Sequence, residues 1–423
     1  MNWRAIVGGT IGWMVDVYDL TLLLFVTNII ASAFFPSGNP LISLLSVFAS
    51  YALSLLARPL GGIIFGHVAD RVGRRITMLI TLLGLGIFSA LSGALPTYAE
   101  IGLLAPALFV LLRLLVGIFV GGEVSGSHLI AVEASDNRRR GLTSGILQSG
   151  YYWGYALAAV TFLAMASYFG QNFSTYGWRY AFYLSIVVSI VGLVLRLAVG
   201  ESQLFDEVKK EGKILRVPIS GLFKNYLGET LVALLVMSGI YWVAYATLGY
   251  LPTYLRSLKY NVNFIFSALA IAGVIGAIMT ILGGIFSDYL TRKRSFLVYS
   301  LIGILLSIPA IQLLYTNNFL SVAIAAGLIT GFIGLSGGVM LAYLSELFAT
   351  NVRASAIGFI WNMANIGSTV GLLLAPIVSL YSIFWGYAIL LIGGYIVLLI
   401  GSVITMDNTG VDLKKLELKK ISS

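Results

Sequence analysis

Cysteine is absent from the 423-residue sequence, and histidine occurs only twice, at His67 and His128. Without cysteine the chain cannot form disulfides, zinc–thiolate sites, iron–sulfur clusters or a thiol nucleophile. Two histidines are too few for a histidine metal cluster. No nucleophile with an adjacent base and an orienting group is visible either. We therefore expect no metal, no cofactor and no enzymatic activity.

Charge is scarce as well. Charged residues make up 10% of the chain and hydrophobic residues 59%, with a mean hydropathy of +0.95. Soluble proteins carry about 25% charged residues. Because the shortage extends along the whole chain, the composition indicates a multi-pass membrane protein. The apolar runs lack the alternation of membrane strands, which favours an all-α fold.

Twelve apolar runs are long enough to cross a bilayer as helices, since a crossing needs about 20 residues. They cover residues 5–35, 40–66, 75–95, 102–132, 141–169, 178–199, 228–255, 264–287, 295–315, 319–346, 354–380 and 383–405. The longest polar interruption, residues 201–218, divides them six and six. The predicted domains are a six-helix bundle at 1–200, a cytoplasmic linker at 201–226, a second six-helix bundle at 227–406 and a cytoplasmic tail at 407–423.

Positive charge is distributed unequally between the loops. With the N-terminus inside, one side of the membrane receives nearly all of the loop arginines and lysines, whereas the other keeps Arg179, Arg256 and Lys259. By the positive-inside rule both termini are cytoplasmic. The net charge of +9 is then a topology signal and not a nucleic-acid-binding surface. We expect a monomer in the cell membrane whose basic tail is solvated.

Two motifs occur once in each half of the chain. GHVADRVGRR, residues 66–75, returns as GIFSDYLTRK, residues 284–293, with an Asp four residues after Gly and an Arg four after the Asp. EASDNRRRG and ELFATNVRA each place an arginine seven residues after a glutamate. Two repeats at nearly the same offset indicate duplication of a six-span unit.

These motifs resemble those of the major facilitator superfamily, and the resemblance covers essentially the whole chain. Residues 66–75 are similar to its loop between spans two and three, and RLLVGIFVGGE, residues 113–123, to its span-four motif. GWMVDVYDL, ARPLGGIIFGHVADRVGRR and YLPTYLRSLKY are similar to the sialate:proton and metabolite:proton symporter families. The resemblance implies two pseudo-symmetric helical bundles, alternating access, and transport of small organic acids with protons.

The repeated Asp and Arg positions lie at the cytoplasmic ends of the predicted spans. A carboxylate there can pair with loop arginines and with the N-terminus of a neighbouring helix, which would hold the inner side closed. A topology signal needs arginines but no aspartate at fixed spacing, so we favour a gate over plain surface charges. The predicted cytoplasmic gate comprises Asp70, Arg74, Glu133, Arg140, Asp288, Arg292, Glu346 and Arg353.

Charged residues also lie deep within spans one and four. Asp16 and Asp19 are three residues apart, hence on one helical face. Span four carries Arg113 and Glu123. Intramembrane ionisable groups are usually functional, and the resemblance to sugar porters implies pairing of Asp19 with Arg113. These four residues are the predicted proton-coupling group; the alternative for the pair is a permanent structural ion pair, and for Glu123 a helix-packing role.

Polar and aromatic residues near mid-membrane are the candidates for binding substrate. Arg113 is predicted to be the one deep cation beside the cavity, because Arg58 falls near the cytoplasmic end of the second apolar run, where it would snorkel or join the gate. The other candidates are Gln148, Tyr151, Tyr152, Tyr241, Trp242, Tyr245, Trp361, Asn362 and Asn365.

The sequence therefore favours proton-coupled import of a small organic anion, such as a monocarboxylate or a sugar acid. A neutral-sugar symporter stays open, since the Asp19–Arg113 pair would serve it equally well. A proton-driven exporter is the other alternative. Antiporters of the superfamily typically carry Gly-Pro in span five, whereas residues 150–160 contain no proline.

Overall fold

The computed structural model describes residues 3–122, 132, 135–199 and 219–411. Within these ranges the chain is helical and contains no strand. Eleven helices are long and apolar enough to cross a membrane, and a shorter apolar helix, Arg179–Leu195, takes the sixth place among them. The prediction of an all-α membrane protein is confirmed. The domain boundaries and the cytoplasmic position of both termini stay predictions.

The helices follow one another as the apolar runs predict. Spans one to six are Trp3–Phe25 with Thr27–Phe34, Pro40–Val72, Arg74–Ala94, Leu104–Gly121, Arg140–Phe169 and Arg179–Val199. Spans seven to twelve are Leu227–Ala244 with Leu251–Ser257, Val262–Leu290, Arg292–Leu313, Phe319–Leu347, Thr350–Met363 with Asn365–Val378, and Ile383–Ile404. Short helices at Tyr98–Ile101 and Ile219–Asn225 connect spans.

Several even-numbered spans begin with a polar cap. The side chains of Asn39, Asn261 and Asn318 accept hydrogen bonds from backbone N–H groups in the first turns of spans two, eight and ten. Ser382 does the same for span twelve. These caps satisfy donors that the helix itself leaves unpaired, and so fix where each span starts.

Two spans of the second half are interrupted near their middle. In span seven a π-helical turn, Tyr245–Gly249, precedes Pro252, which has no backbone N–H to continue the helix. Span eleven breaks at Ala364, where the Asn365 side chain donates to the backbone oxygens of Trp361 and Asn362. Such interruptions are tolerated in a membrane where the irregular backbone is buried within protein.

Glycines allow the closest helix contacts. A side chain at Gly117 or Gly121 of span four would clash with the backbone of Ser54 or Arg58 in span two. Between the two halves, span five packs on span eight where Gly141 meets Gly284. Small residues let backbones approach this closely, and van der Waals packing then holds the bundle together in lipid.

The two halves touch on both sides of the protein. Near the end of span one, Phe25 packs against Phe266 of span eight with ring centroids 5.8 Å apart, and Phe162 of span five stacks on the same ring at 5.2 Å. At the opposite side, the Gly141–Gly284 contact and a group of ion pairs join spans five and eight to ten. The structure is therefore closed at both ends.

We expect Gly117→Ala to destabilise the protein, because the added methyl meets the backbone of Ser54 and overpacking typically costs about 1–3 kcal/mol. Thermal unfolding of the purified protein in detergent measures the loss. Gly66→Ala in span two is the matched control, since nothing lies within 4 Å of its added methyl. An unchanged unfolding temperature for Gly117→Ala would contradict the close packing of spans two and four.

Candidate functional site

A small cavity of about 40 Å³ lies between the two halves. Spans one, two and five line it from one half, and spans seven, ten and eleven from the other. Its volume accommodates roughly three water molecules, so a metabolite can enter only after the halves separate. The lining residues are Trp13, Arg58, Gln148, Tyr151, Tyr152, Ile240, Tyr241, Ala244, Tyr245, Ile333, Gly337, Met340 and Trp361.

Six of the predicted substrate-binding residues line this cavity. They are Gln148, Tyr151, Tyr152, Tyr241, Tyr245 and Trp361. The Gln148 amide is poorly satisfied: its Nε2 has the Met340 sulfur at 3.7 Å as acceptor, and its Oε1 has no partner among the described residues. A buried amide with free hydrogen-bonding capacity is suited to bind a polar ligand.

Four other predicted positions lie elsewhere. Trp242 packs on Gly371 and Gly394 of spans eleven and twelve, because successive helix residues differ by about 100° and its neighbour Tyr241 takes the cavity side. Asn362 donates to the backbone oxygen of Gly358, and Asn365 caps the break in span eleven. Arg113 is also outside the lining. These four lie outside the lining of this cavity, and their predicted role in binding substrate stays a prediction.

Arg58 is the residue that the sequence analysis misplaced. It is 2% exposed and lines the cavity. The second span continues to Val72, so Arg58 lies 14 residues, or roughly 21 Å, from its cytoplasmic end. Hydropathy ended this run at residue 66, and that shorter span placed the arginine too near the surface. The structure shows the depth of Arg58, because the helix continues to Val72 and ends only at Gly73, which has a positive φ.

The surroundings of Arg58 are aromatic hydroxyls. It interacts electrostatically with Tyr51, Tyr241 and Tyr245. Its Nε and Nη2 have no hydrogen-bond partner among the described residues, and no described carboxylate forms an ion pair with it. A guanidinium keeps its charge in any protein environment. The cavity wall thus contains a buried cation that has Tyr245 as a hydrogen-bonding neighbour, whereas its Nε and Nη2 lack acceptors among the described residues.

Asp19 and Arg113 lie together as the sequence predicted, in a separate buried site. Arg113 donates from Nη2 to Ser92 at 2.6 Å and more weakly to Ser89 at 3.4 Å. Asp19 interacts electrostatically with Arg113 and has the Ser89 hydroxyl as a hydrogen-bonding neighbour, but neither carboxylate oxygen makes a hydrogen bond of good geometry with a described residue. The carboxylate is held near the cation without a tight ion pair. Asp16 is buried as well, and Glu123 lies outside the described residues.

Comparison with known proteins identifies the fold. The family model described as the Major Facilitator Superfamily matches residues 20–372. The chain belongs to this superfamily. It is 32% identical over 386 residues to the inner membrane metabolite transport protein YhjE of Escherichia coli K12, covering 89% of this chain and 87% of that protein. It is 28% identical to a proline/betaine transporter of Salmonella typhimurium, with coverages of 85% and 74%.

Solved structures show the same fold. A D-xylose-proton symporter superposes with a TM-score of 0.76 at 19% identity, covering 97% of this chain and 99% of that one. The xylose transporter XylE of E. coli, in a partially occluded inward open conformation, gives a TM-score of 0.73. The protein is therefore a membrane transporter of metabolites that belongs to the major facilitator superfamily, and it is not an enzyme.

An ion-pair network on the side that the sequence predicts to be cytoplasmic joins the two halves of the transporter. Asp288 of span eight accepts hydrogen bonds from the backbone N–H groups of Gly141 and Leu142, at 2.8 and 2.9 Å, where span five begins. Arg292 pairs with Asp288 at 2.8 Å and with Glu346 at 2.9 Å. These are charge-assisted contacts in a buried setting, and among the strongest that a protein makes. Their place supports the predicted gate, whose function stays a prediction.

Other predicted gate residues have different positions. Arg140 pairs with Glu346 at 3.5 Å. Arg353 donates from Nε to the backbone oxygen of Phe348 and lies near Arg140. Glu133 and the side chains of Asp70 and Arg74 lie outside the described residues, so the N-terminal copy of the motif stays untested.

Residues 409–411, which follow span twelve, complete this network. The Thr409 hydroxyl accepts from the backbone N–H of Arg292 at 2.7 Å. Gly410 donates to Glu346 at 3.3 Å, and the Val411 oxygen accepts from Arg140 at 2.7 Å. Gly410 has a φ of 72°, a left-handed conformation that glycine adopts without strain. These residues of the predicted solvated tail are exposed or half-buried, and through their backbone and hydroxyl contacts they connect the two halves.

We expect Asp288→Ala to open the cytoplasmic side, because it removes the acceptor that joins span eight to the start of span five. The reporter is Ser144→Cys, at a buried serine whose hydroxyl accepts from the Leu341 N–H across the two halves. Labelling of this position by a membrane-impermeant maleimide should be about tenfold faster. A loss of about 1.4 kcal/mol in the stability of the closed state would raise the population of the open state tenfold.

The chain has no native cysteine, so the label reports this position alone. Arg294→Ala, at an exposed neighbour of Arg292, is the control and should leave the rate unchanged. Equal labelling in Asp288→Ala and its parent would show that the network does not close the inner side.

Proposed function

We propose that this transporter imports a small carboxylate-bearing metabolite together with protons, by alternating access. The observation that carries the proposal is Arg58, a buried cation in the cavity wall without an acidic partner among the described residues. Removing a charge from water costs several kcal/mol unless it is paired. A substrate carboxylate would supply the acceptors that Arg58 lacks, with two parallel N–H···O bonds available from its planar group.

The rest of the cavity supports a ligand with one charged end and a polar remainder. The described lining contains no acidic residue that would repel an anion. Gln148 supplies a second hydrogen-bonding group, in reach of a hydroxyl or a carbonyl. A monocarboxylate or a sugar acid combines these features. In this arrangement Arg58 binds the charge, whereas the sequence alone would have assigned that role to Arg113.

A zwitterion is the second candidate, and the aromatic walls favour it. Trp13 and Trp361 meet edge-on across the two halves at 5.7 Å, and Tyr241 lies 6.0 Å from Trp361. Aromatic faces bind quaternary ammonium groups by cation–π attraction, worth about 2 kcal/mol when desolvated. Proline and betaine, named in the description of the Salmonella relative, carry a carboxylate and a positive nitrogen. Such a substrate would use Arg58 in the same way.

Asp19 is the proposed proton carrier. Its carboxylate is buried and short of hydrogen bonds, and it lies beside Arg113, so its charge state depends on where that arginine points. Arg113 in turn is held by two serine hydroxyls of span three and does not need Asp19 as its one acceptor. The pair can therefore exist with Asp19 ionised or protonated, which is what a coupling site requires.

Uptake into proteoliposomes tests the function directly. The labelled compounds are L-lactate, D-gluconate, L-proline, glycine betaine and D-xylose, each with and without an inward proton gradient. Gradient-driven accumulation of a carboxylate-bearing compound supports the proposal. Accumulation of D-xylose alone would favour a neutral-sugar symporter, and accumulation driven by an opposed gradient would favour an exporter.

We expect Arg58→Lys to weaken carboxylate binding at least about tenfold, because lysine keeps the charge and loses the planar pair of donors. Thermal shift of purified protein over a ligand series measures the apparent affinity. Arg256→Lys, at an exposed arginine of span seven, is the control for a change of the same kind. Parent-like binding by Arg58→Lys, with loss in Arg113→Lys, would return the anion site to Arg113.

Asp19→Asn should abolish accumulation driven by a proton gradient and leave exchange of substrate between the two sides. Asparagine has nearly the same shape as aspartate and cannot carry the proton. Asp136→Asn, at an exposed loop aspartate, is the control. If Asp19→Asn still accumulates substrate against its gradient, the proton is carried by another group.

A further inference from the structure

Tyr51 of span two is a buried polar residue that neither site uses directly. Its side chain is 2% exposed, and its hydroxyl lies beside the Tyr245 hydroxyl without a hydrogen bond of good geometry to any described residue. Leaving a buried hydroxyl unpaired costs about 1–3 kcal/mol. Phenylalanine would fill the same space without that cost, so the hydroxyl requires an explanation.

The position of Tyr51 lies between the cavity and the Asp19–Arg113 pair. On the cavity side its ring is 6.0 Å from the ring of Tyr245, a lining residue, and it interacts electrostatically with Arg58. On the other side it interacts with Arg113. Among the described residues, the charged and titratable groups around it are Arg58 on its own span, Arg113 on span four, Tyr151 on span five and Tyr245 on span seven.

The packing of spans two and four leads to the same placement. Gly117 lies against the backbone of Ser54, and Gly121 against that of Arg58. Both contacts join positions 63 apart in the sequence, and the two spans run in parallel. Gly61 and Gly62 of span two meet Ile118 and Gly121, 57 and 59 positions apart. Arg113 is therefore level with residues 50–56, a stretch that includes Tyr51. Arg58 lies seven residues further along span two, roughly 10 Å away.

A phenol hydroxyl can accept and donate at once, and both arginines are short of acceptors. Nε of Arg58 and Nε of Arg113 each have no partner among the described residues. The Tyr51 oxygen is an acceptor that either guanidinium can use. When one arginine gains another acceptor, the hydroxyl becomes available to the other.

We propose that Tyr51 is the positioning residue that links occupancy of the substrate site to protonation of Asp19. A carboxylate bound at Arg58 satisfies that guanidinium, which leaves the Tyr51 hydroxyl as an acceptor for Arg113. Arg113 then depends less on Asp19, whose carboxylate accepts a proton and becomes a neutral carboxyl. The inference rests on the proposed function, because it takes Arg58 as the carboxylate site.

The test is a double-mutant cycle that needs no substrate. Infrared spectroscopy of the purified transporter follows the carboxyl C=O band over a pH series, and Asp19→Asn identifies the part of the band that belongs to Asp19. Arg58→Gln imitates neutralisation of Arg58 by a bound carboxylate. In the parent background this change should shift the titration midpoint of Asp19 by about 1 pH unit, equivalent to about 1.4 kcal/mol.

In the Tyr51→Phe background the same Arg58→Gln change should shift the midpoint by less than half as much. Tyr155→Phe is the matched control, because Tyr155 of span five is equally buried and its hydroxyl also lacks a partner among the described residues. It should leave the full shift. Equal shifts with and without the Tyr51 hydroxyl, or no shift in the parent, would overturn the link.

A transport measurement covers the case in which Tyr51→Phe lowers stability. In proteoliposomes supplied with L-lactate or glycine betaine, the variant should retain exchange and lose about tenfold in gradient-driven accumulation; equal loss of both would indicate a merely structural role. If neither compound binds and Arg58→Lys has no effect, the proposed substrate class is wrong. The infrared cycle is then still decisive for Tyr51, because it contains no substrate.

Discussion

Charge buried away from water is the constraint on which this structure depends. Every ion in the interior must find acceptors or donors, since an unpaired one costs several kcal/mol. Arg292 forms ion pairs with Asp288 at 2.8 Å and with Glu346 at 2.9 Å, so its charge is paired. Arg58 and Asp19 are equally buried and have unsatisfied polar atoms. Under the proposed function, Arg292 is an ion that holds the two halves together, whereas Arg58 and Asp19 are groups that receive a ligand and a proton.

The same constraint connects the inner seal to the central cavity. Spans five and eight approach at Gly141 and Gly284, and the carboxylate of Asp288 bridges them just beyond that contact. Span five also carries Gln148, Tyr151 and Tyr152 into the cavity wall. A tilt of span five that admits a ligand from the cytoplasm must break the Asp288 contacts. Opening on one side and access to the cavity are thereby one movement, which fits alternating access.

Sequence reasoning could identify the helices, the repeat and the ion-pair motif because each depends on local spacing. It also found six cavity residues, since polar and aromatic side chains at mid-membrane are uncommon. It failed where a helix extends beyond its apolar run, as for Arg58, or where the face of the helix decides, as for Trp242. Asn365 was predicted to bind substrate, whereas its amide donates to backbone oxygens at a break in span eleven that no residue pattern had predicted. The depth of a residue in the membrane and the rotation of its helix depend on tertiary packing, which cannot be deduced from a single sequence.

Residues 409–411 have a consequence for the order of biosynthesis. Arg140 and Glu346 are synthesised and inserted with spans five and ten, long before Gly410 and Val411 leave the ribosome. Until then these buried ions lack two of their contacts. A chain halted before Thr409 would have every span and an incomplete cytoplasmic seal. The contacts of residues 409–411 thus join the network last, after the spans that they connect have been synthesised.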